Sequence, residues 1–164
     1  RMRAGQQFVF GEQVGWFNVN QACDPMPMEF IRQVVQLRWR LRRYFYAGEM
    51  ARPPRLRGNI PRVRANWQWM SSKENPWVTT EALMSSAWRL RGENRLVMLF
   101  VNVSDEPLSV ELDFQGKDYA IQAPTLRVTR VGEGEADEPF DLASPSVQPM
   151  TFASQRAVAL EMAW

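Results

Sequence analysis

The stretch Tyr44-Phe45-Tyr46-Ala47-Gly48-Glu49-Met50-Ala51-Arg52-Pro53-Pro54-Arg55 divides the 164-residue chain into two patterns. Upstream of it, residues 25–47 read as one long amphipathic, arginine-rich helix. Asp24 is a good N-cap, Pro25 suits the first helical position, and Glu29 lies in the early turns. Phe30, Val34, Leu37, Leu41 and Tyr44 follow at 4-3-4-3 spacing, which lays them along one face. Ile31, Val35 and Phe45 widen that face, while Arg32, Arg40 and Arg43 fall away from its centre. Gly48 is the natural stop. Farther upstream, Gln6-Gln7-Phe8-Val9-Phe10 is a short apolar run ending at Gly11 and reads as a buried strand; residues 12–18 read as a glycine-punctuated loop. Strand, loop and helix make a βα unit, which ordinarily requires parallel neighbours to bury its faces. Alone, residues 1–47 are expected either to fold back on the rest of the chain or to cover the helix face with a partner, a homo-oligomer being one such cover.

Downstream, residues 51–62 carry Pro53, Pro54, Gly58 and Pro61 and read as a Pro-rich linker, stiff and extended at Pro-Pro. Strand signals then come at 62–70, 82–90, 95–103, 108–114, 119–122, 125–131, 147–152 and 157–162. In 95–103, Val97, Leu99, Val101 and Val103 alternate with Met98, Phe100 and Asn102, so both faces are largely apolar and the strand is expected at a sheet centre. Residues 108–114 alternate strictly, as a strand with one wet face does. Residues 91–94, 104–107 and 115–118 read as hairpin turns, and the acidic stretch 132–146 as a solvated loop. The expected fold is mainly β: an antiparallel β-sandwich of about eight strands, preceded by a short strand and one long amphipathic α-helix. The divisions are residues 1–50, the linker 51–62 and the sandwich 63–164.

Composition narrows the chemistry. Apolar residues make up 45% and charged residues 23%, close to the globular average, so neither disorder nor a fibrous repeat is expected. No apolar run approaches the ~18–20 residues of a membrane-spanning helix, and residues 1–5 lack the apolar core of a signal peptide. The chain begins on Arg1, which implies processing or a piece of a longer product. It has one cysteine, Cys23, and no histidine. That excludes an intrachain disulfide, Cys/His zinc sites and His-dependent nucleophile systems, and no metal or other cofactor is expected. Cys23, with no basic neighbour, reads as an inert packing residue. Residues 1–64 carry 12 Lys/Arg against 4 Asp/Glu, and residues 65–164 carry 8 against 14. Such a split fits a nucleic-acid arm, two halves that attract each other, or a basic helix facing an acidic surface. The arginines of 38–64 are interleaved with an apolar stripe and prolines, and arginine docks well on carboxylates and aromatic faces. Nucleic acid is therefore not an expected partner.

Three stretches carry a resemblance to the C-terminal end of glycoside-hydrolase-like proteins in which a (β/α)8 barrel is followed by a small β-sandwich. Phe8-Val9-Phe10-Gly11-Glu12-Gln13-Val14-Gly15-Trp16 resembles the last barrel strand and its loop. Leu37-Arg38-Trp39-Arg40-Leu41-Arg42-Arg43-Tyr44-Phe45-Tyr46-Ala47-Gly48 resembles the last barrel helix. Ser85-Ser86-Ala87-Trp88-Arg89, with Val101-Asn102-Val103-Ser104, resembles the sandwich. The resemblance implies that residues 1–50 are the end of a truncated barrel and that the sandwich is an accessory, structural region of a carbohydrate-active protein. It implies an upstream barrel as partner and a periplasmic or extracellular setting. A glycosidase needs two carboxylates ~5–10 Å apart, drawn from several barrel strands. One strand cannot supply them, so no catalytic residue is assigned and the chain alone is expected to be inactive.

Candidate carbohydrate contacts are Glu12, Gln13, Trp16, Trp67, Trp69 and Trp77. Glu12 directly follows the expected barrel strand, where a carboxylate would accept sugar hydroxyls or handle a proton; its plainer reading is a solvated loop glutamate. Gln13 would bond sugar hydroxyls. Trp16 would stack on a pyranose ring, or pack on the barrel rim. Trp67 and Trp69 share a strand face and Trp77 follows a turn-like stretch at 71–76. Three such tryptophans suit a non-catalytic carbohydrate-binding module, the alternative function; the reading that the residues favour is that they fill the joint between helix and sandwich.

Overall fold

The computed structural model describes residues 1–15, 25–66, 77–132 and 139–164. Its strands are β1 (Glu49–Ala51), β2 (Arg55–Arg57), β3 (Arg62–Asn66), β4 (Trp77–Glu81), β5 (Leu83–Leu90), β6 (Arg95–Asn102), β7 (Leu108–Phe114), β8 (Thr125–Val131), β9 (Pro139–Ala143), β10 (Ser146–Phe152) and β11 (Arg156–Ala163). Three sheets result: six strands in the order β1-β5-β6-β11-β8-β9, three in the order β10-β7-β2, and the hairpin β3-β4. Every pairing among them is antiparallel. The mainly β, antiparallel sandwich expected from the strand runs is present.

The period-2 alternation of β6 organises the layers. Leu96, Met98 and Phe100 face the three-stranded sheet and enclose a core with Leu112, Phe114 and Phe152; the Phe100 and Phe152 rings lie 4.9 Å apart. Val97, Leu99 and Val101 face the other way, into a second core. That core is roofed by three helices, α1 (Met2–Val9), α2 (Pro25–Arg40) and α3 (Arg42–Ala47). Phe30, Val34, Leu37, Leu41 and Tyr44, the stripe read from the 4-3-4-3 spacing, pack there against the six-stranded sheet. The face for which a partner chain was one expected cover is thus covered within the chain. Polar contacts fix the roof: the Tyr44 hydroxyl donates to Glu161 at 2.9 Å, and the Ala157 N–H donates to the Gln33 side chain at 3.2 Å. Burial, reinforced by the Glu161 carboxylate, pushes the Tyr44 phenol up, so it stays a protonated donor. At Gly48 a Cβ would sit 2.4 Å from the Tyr44 carbonyl oxygen, so the chain can leave α3 for β1 this tightly only with glycine.

Several expectations need correction. The run Gln6–Phe10 is not a strand: residues 2–9 are α1. Ala4, Phe8 and Val9 bury at helical spacing, and Phe10 points out, 52% exposed. The long helix is interrupted at Leu41 (φ −92°, ψ 9°), dividing it into α2 and α3. The Pro-rich stretch contains β2, paired with β7. Residues 104–107 are not a hairpin turn. Both edges of β6 are already taken by β5 and β11, so the chain crosses to the other sheet. Residues 119–122 are not a strand: Gly116–Tyr119 is a 3-10 turn that stacks Tyr119 on Phe114. The stretch 132–146 holds β9, hydrogen-bonded to β8.

Candidate functional site

Glu12 and Gln13 follow α1 in a turn whose backbone is held firmly. Gly11 adopts φ +71°, and a Cβ there would meet the Trp88 ring at 2.8 Å. The Arg38 guanidinium donates to the Glu12 carbonyl at 2.9 Å and the Gly11 carbonyl at 3.0 Å. It also lies over the Phe45 and Tyr46 rings, at 5.3 and 5.7 Å. Trp88 Nε1 donates to the Val9 carbonyl at 3.2 Å. This clamp acts on main-chain atoms, and the side chains of Glu12 and Gln13 are exposed. Trp16, Trp67 and Trp69 lie outside the described residues.

Trp77 opens β4 and is 58% exposed. The β3-β4 register pairs Asn66 with Trp77, Arg64 with Thr79, and Arg62 with Glu81. Cross-strand partners share a face, so one side of the hairpin carries these six side chains, all exposed, while Val63, Ala65, Val78 and Thr80 are half-buried on the other. The Arg64 guanidinium lies 4.8 Å from the Trp77 ring centroid. The hairpin borders a groove of about 730 Å³ that runs between it, α1 and the Pro53-Pro54 stretch. Arg62, Thr79 and Glu81 line that groove, and Phe10 reaches it from the end of α1.

The structure therefore does not gather the expected contacts into one site. Glu12 and Gln13 stand on the α1 turn, whereas Trp77 stands on the hairpin, and none of the three lines the groove. Glu81 is the one carboxylate among the described lining residues, so no acid–base pair is present there. What the hairpin face offers is recognition chemistry: a flat aromatic surface, two guanidiniums, an amide, a hydroxyl and a carboxylate. Sequence reading missed Arg62, Arg64, Asn66, Thr79 and Glu81. The signal was available in Arg62-Val63-Arg64-Ala65-Asn66, whose alternation puts the polar residues on one side.

The arginines of the Pro-rich stretch have a different task. Arg55 pairs with Asp118 at 2.8 Å and Arg57 with Asp113 at 2.6 Å, tying β2 to β7 and to the 3-10 turn that follows it. The Gln115 amide and the Arg57 guanidinium hold the Asp113 carboxyl below the usual carboxylate range.

No protein-family model matches the chain, and no curated protein matches it by sequence. Solved structures do match. A protein of Bacillus halodurans C-125, provisionally assigned as an α-N-acetylgalactosaminidase, aligns with TM-score 0.51 and 9% identity over 99% of this chain and 30% of its own. A GH27 β-L-arabinopyranosidase of Geobacillus stearothermophilus aligns with TM-score 0.46 and 12% identity over 99% of this chain and 29% of its own. A GH30 endoxylanase of Clostridium papyrosolvens C71 aligns with TM-score 0.35 and 14% identity over 51% of this chain and 20% of its own. The chain spans less than a third of the length of each of these proteins. The first likeness gives this chain a glycoside-hydrolase-like fold.

Proposed function

We propose that this chain is the C-terminal accessory region of a carbohydrate-active, glycoside-hydrolase-like protein, with a structural role and without the catalytic groups. The observation that carries the reading is the alignment of 99% of the chain, helices and sandwich together, with only 30% of a far longer chain of that fold. The physical support is the shared core: α2 and α3 belong to the sandwich's packing through Leu37, Leu41 and Tyr44. Because residues 2–9 form α1, the barrel element that this reading retains among the described residues is the α2-α3 pair, the counterpart of a last barrel helix. Two experiments test it. The chain should release no aryl group above background from a panel of aryl glycosides, including the α-N-acetylgalactosaminide and the β-L-arabinopyranoside; turnover would overturn the reading. The coding sequence upstream of Arg1 should show a barrel's worth of alternating βα pattern, and an unrelated or absent upstream frame would also overturn it.

A second reading, a non-catalytic carbohydrate-binding region, is favoured by one observation: Trp77 is exposed and flanked on its own face by polar side chains. Affinity electrophoresis on a polysaccharide panel checks it. Retardation that Trp77→Ala abolishes supports it, and unretarded migration on every polysaccharide counts against it.

A further inference from the structure

We propose that the exposed face of the β3-β4 hairpin binds an acidic saccharide, with Trp77 as the platform for a sugar ring and Arg62 and Arg64 as the clamp for its carboxylates. The proposal rests on the carbohydrate-binding reading and narrows it to a ligand class. Charge is the first argument. Arg52 and Arg55 pair with Asp118, Arg57 pairs with Asp113, Arg43 with Glu93 and Arg127 with Asp141. Among the described residues Arg62 and Arg64 have no carboxylate in ion-pair reach, although Glu81 stands across from Arg62 in the register. Two guanidiniums face one carboxylate, and a guanidinium fork fits a carboxylate ligand in two-pronged fashion.

Placement is the second argument. Arg62, Arg64 and Asn66 occupy alternate positions of one strand and so run along one line of about 13 Å. Trp77, Thr79 and Glu81 run antiparallel beside them. A short oligosaccharide laid along the hairpin would meet the indole at one end, the amide and hydroxyl beside it, and the two cations farther along. Trp77 as a residue stays 58% exposed even with Arg64 over its ring, which leaves room for a sugar to stack there. The polar face continues into the groove through Arg62, Thr79 and Glu81. Single-stranded nucleic acid also stacks on aromatic rings, but it relies on several cations tracking the phosphates. Two arginines opposed by a glutamate make a poor track of that kind.

Calorimetric titration of the whole chain tests this with trigalacturonate, neutral cellotriose and a thymidine oligonucleotide. Trigalacturonate should bind about tenfold or more tightly than cellotriose. Arg62→Gln and Arg64→Gln should each weaken trigalacturonate about tenfold and leave cellotriose unchanged, and Trp77→Ala should weaken both. Arg127→Gln, on β8, should change neither. All four positions are exposed, and unchanged thermal unfolding of each variant verifies the fold. Equal binding of the two saccharides overturns the acidic class and leaves the carbohydrate-binding reading standing. No binding of either saccharide overturns both, without touching the accessory role, which the glycoside panel and the upstream frame decide. Tighter binding of the oligonucleotide, or saccharide binding indifferent to Trp77→Ala, overturns the proposal.

Discussion

Asn102 shows how much a single side chain can hold. It is fully buried where β6 ends and the chain crosses between sheets. Its amide nitrogen donates to the carbonyls of Glu106, Phe152 and Ala153 at 2.8, 3.2 and 3.1 Å. Its oxygen accepts from the Ser104 backbone at 3.0 Å and the Ser104 hydroxyl at 2.6 Å. Both halves of the amide are therefore used, and the crossing turn is satisfied from inside. Asn102→Ala strands several of these groups in a dry place and should cost roughly 3 kcal/mol. Asn102→Asp should cost at least as much, because it sets a carboxylate against three carbonyl oxygens. Urea unfolding measures both; losses under about 1 kcal/mol would mean that the turn holds itself. The sequence displayed this residue as part of a Val-Asn-x-Ser pattern but could not say why it is there. An asparagine in a strand run looks like a solvent-facing position until the crossing turn closes over it.

At the scale of elements, the roof on the six-stranded sheet is the informative case. The inner stripe of α2 and α3 was legible because five apolar residues keep helical phase over four turns. The break at Leu41 was not, since the stripe passes through it: Leu41 is 1% exposed and its N–H still reaches the Leu37 carbonyl. Leu41→Ala should cost about 3 kcal/mol, transfer and cavity together. Val35→Ala, on the outer side of α2, should stay within about 0.5 kcal/mol. Thermal and urea unfolding of the two variants give the contrast, and similar losses at both positions would place the packing elsewhere. Helix α1 was misread because a five-residue apolar run fits a strand and a helix equally well. Strands β2 and β9 were missed for a different reason: each is short and stands at a sheet edge, and the partner of β2, β7, lies far away in sequence. The hairpin face is half legible, since the sequence carries the alternation of 62–66 but not its pairing with 77–81.

At the scale of the molecule, the charge split between residues 1–64 and 65–164 resolves into attraction between halves. Arg1 pairs with Asp105, Arg43 with Glu93, Arg55 with Asp118, Arg57 with Asp113, and Glu49 and Glu29 accept Arg91 and Arg156. Arg1 holds Asp105, and Arg32 holds Glu29, below the usual carboxylate range, as Gln115 and Arg57 do for Asp113. A carboxylate depressed in the folded state adds stability above its unfolded pKa, near 4, and loses it as pH falls through the lower folded value. Unfolding temperature should therefore drop as the pH falls below about 4, and Asp113→Asn should flatten that limb. These pairs are mostly exposed, so they orient the halves more than they bind them. Apolar burial does the binding. Leu90, Val97, Leu99, Val101, Val131, Ala157 and Ala159 are each less than 3% exposed beneath the helices. Removing residues 1–47 would bare them together as one apolar patch on a pleated surface, larger than monomers usually tolerate. Residues 48–164 alone should then keep the inter-sheet core but enhance the fluorescence of a hydrophobic dye and associate with rising concentration in light scattering. Threonine at Val97, Leu99 and Val101 should suppress that association, because it keeps β propensity while making the bared face polar. A monomeric, dye-silent 48–164 would make the helices a detachable neighbour. Association reversed by the threonines would make them the sandwich's own outer layer, packed to the same β6 that anchors the opposite core.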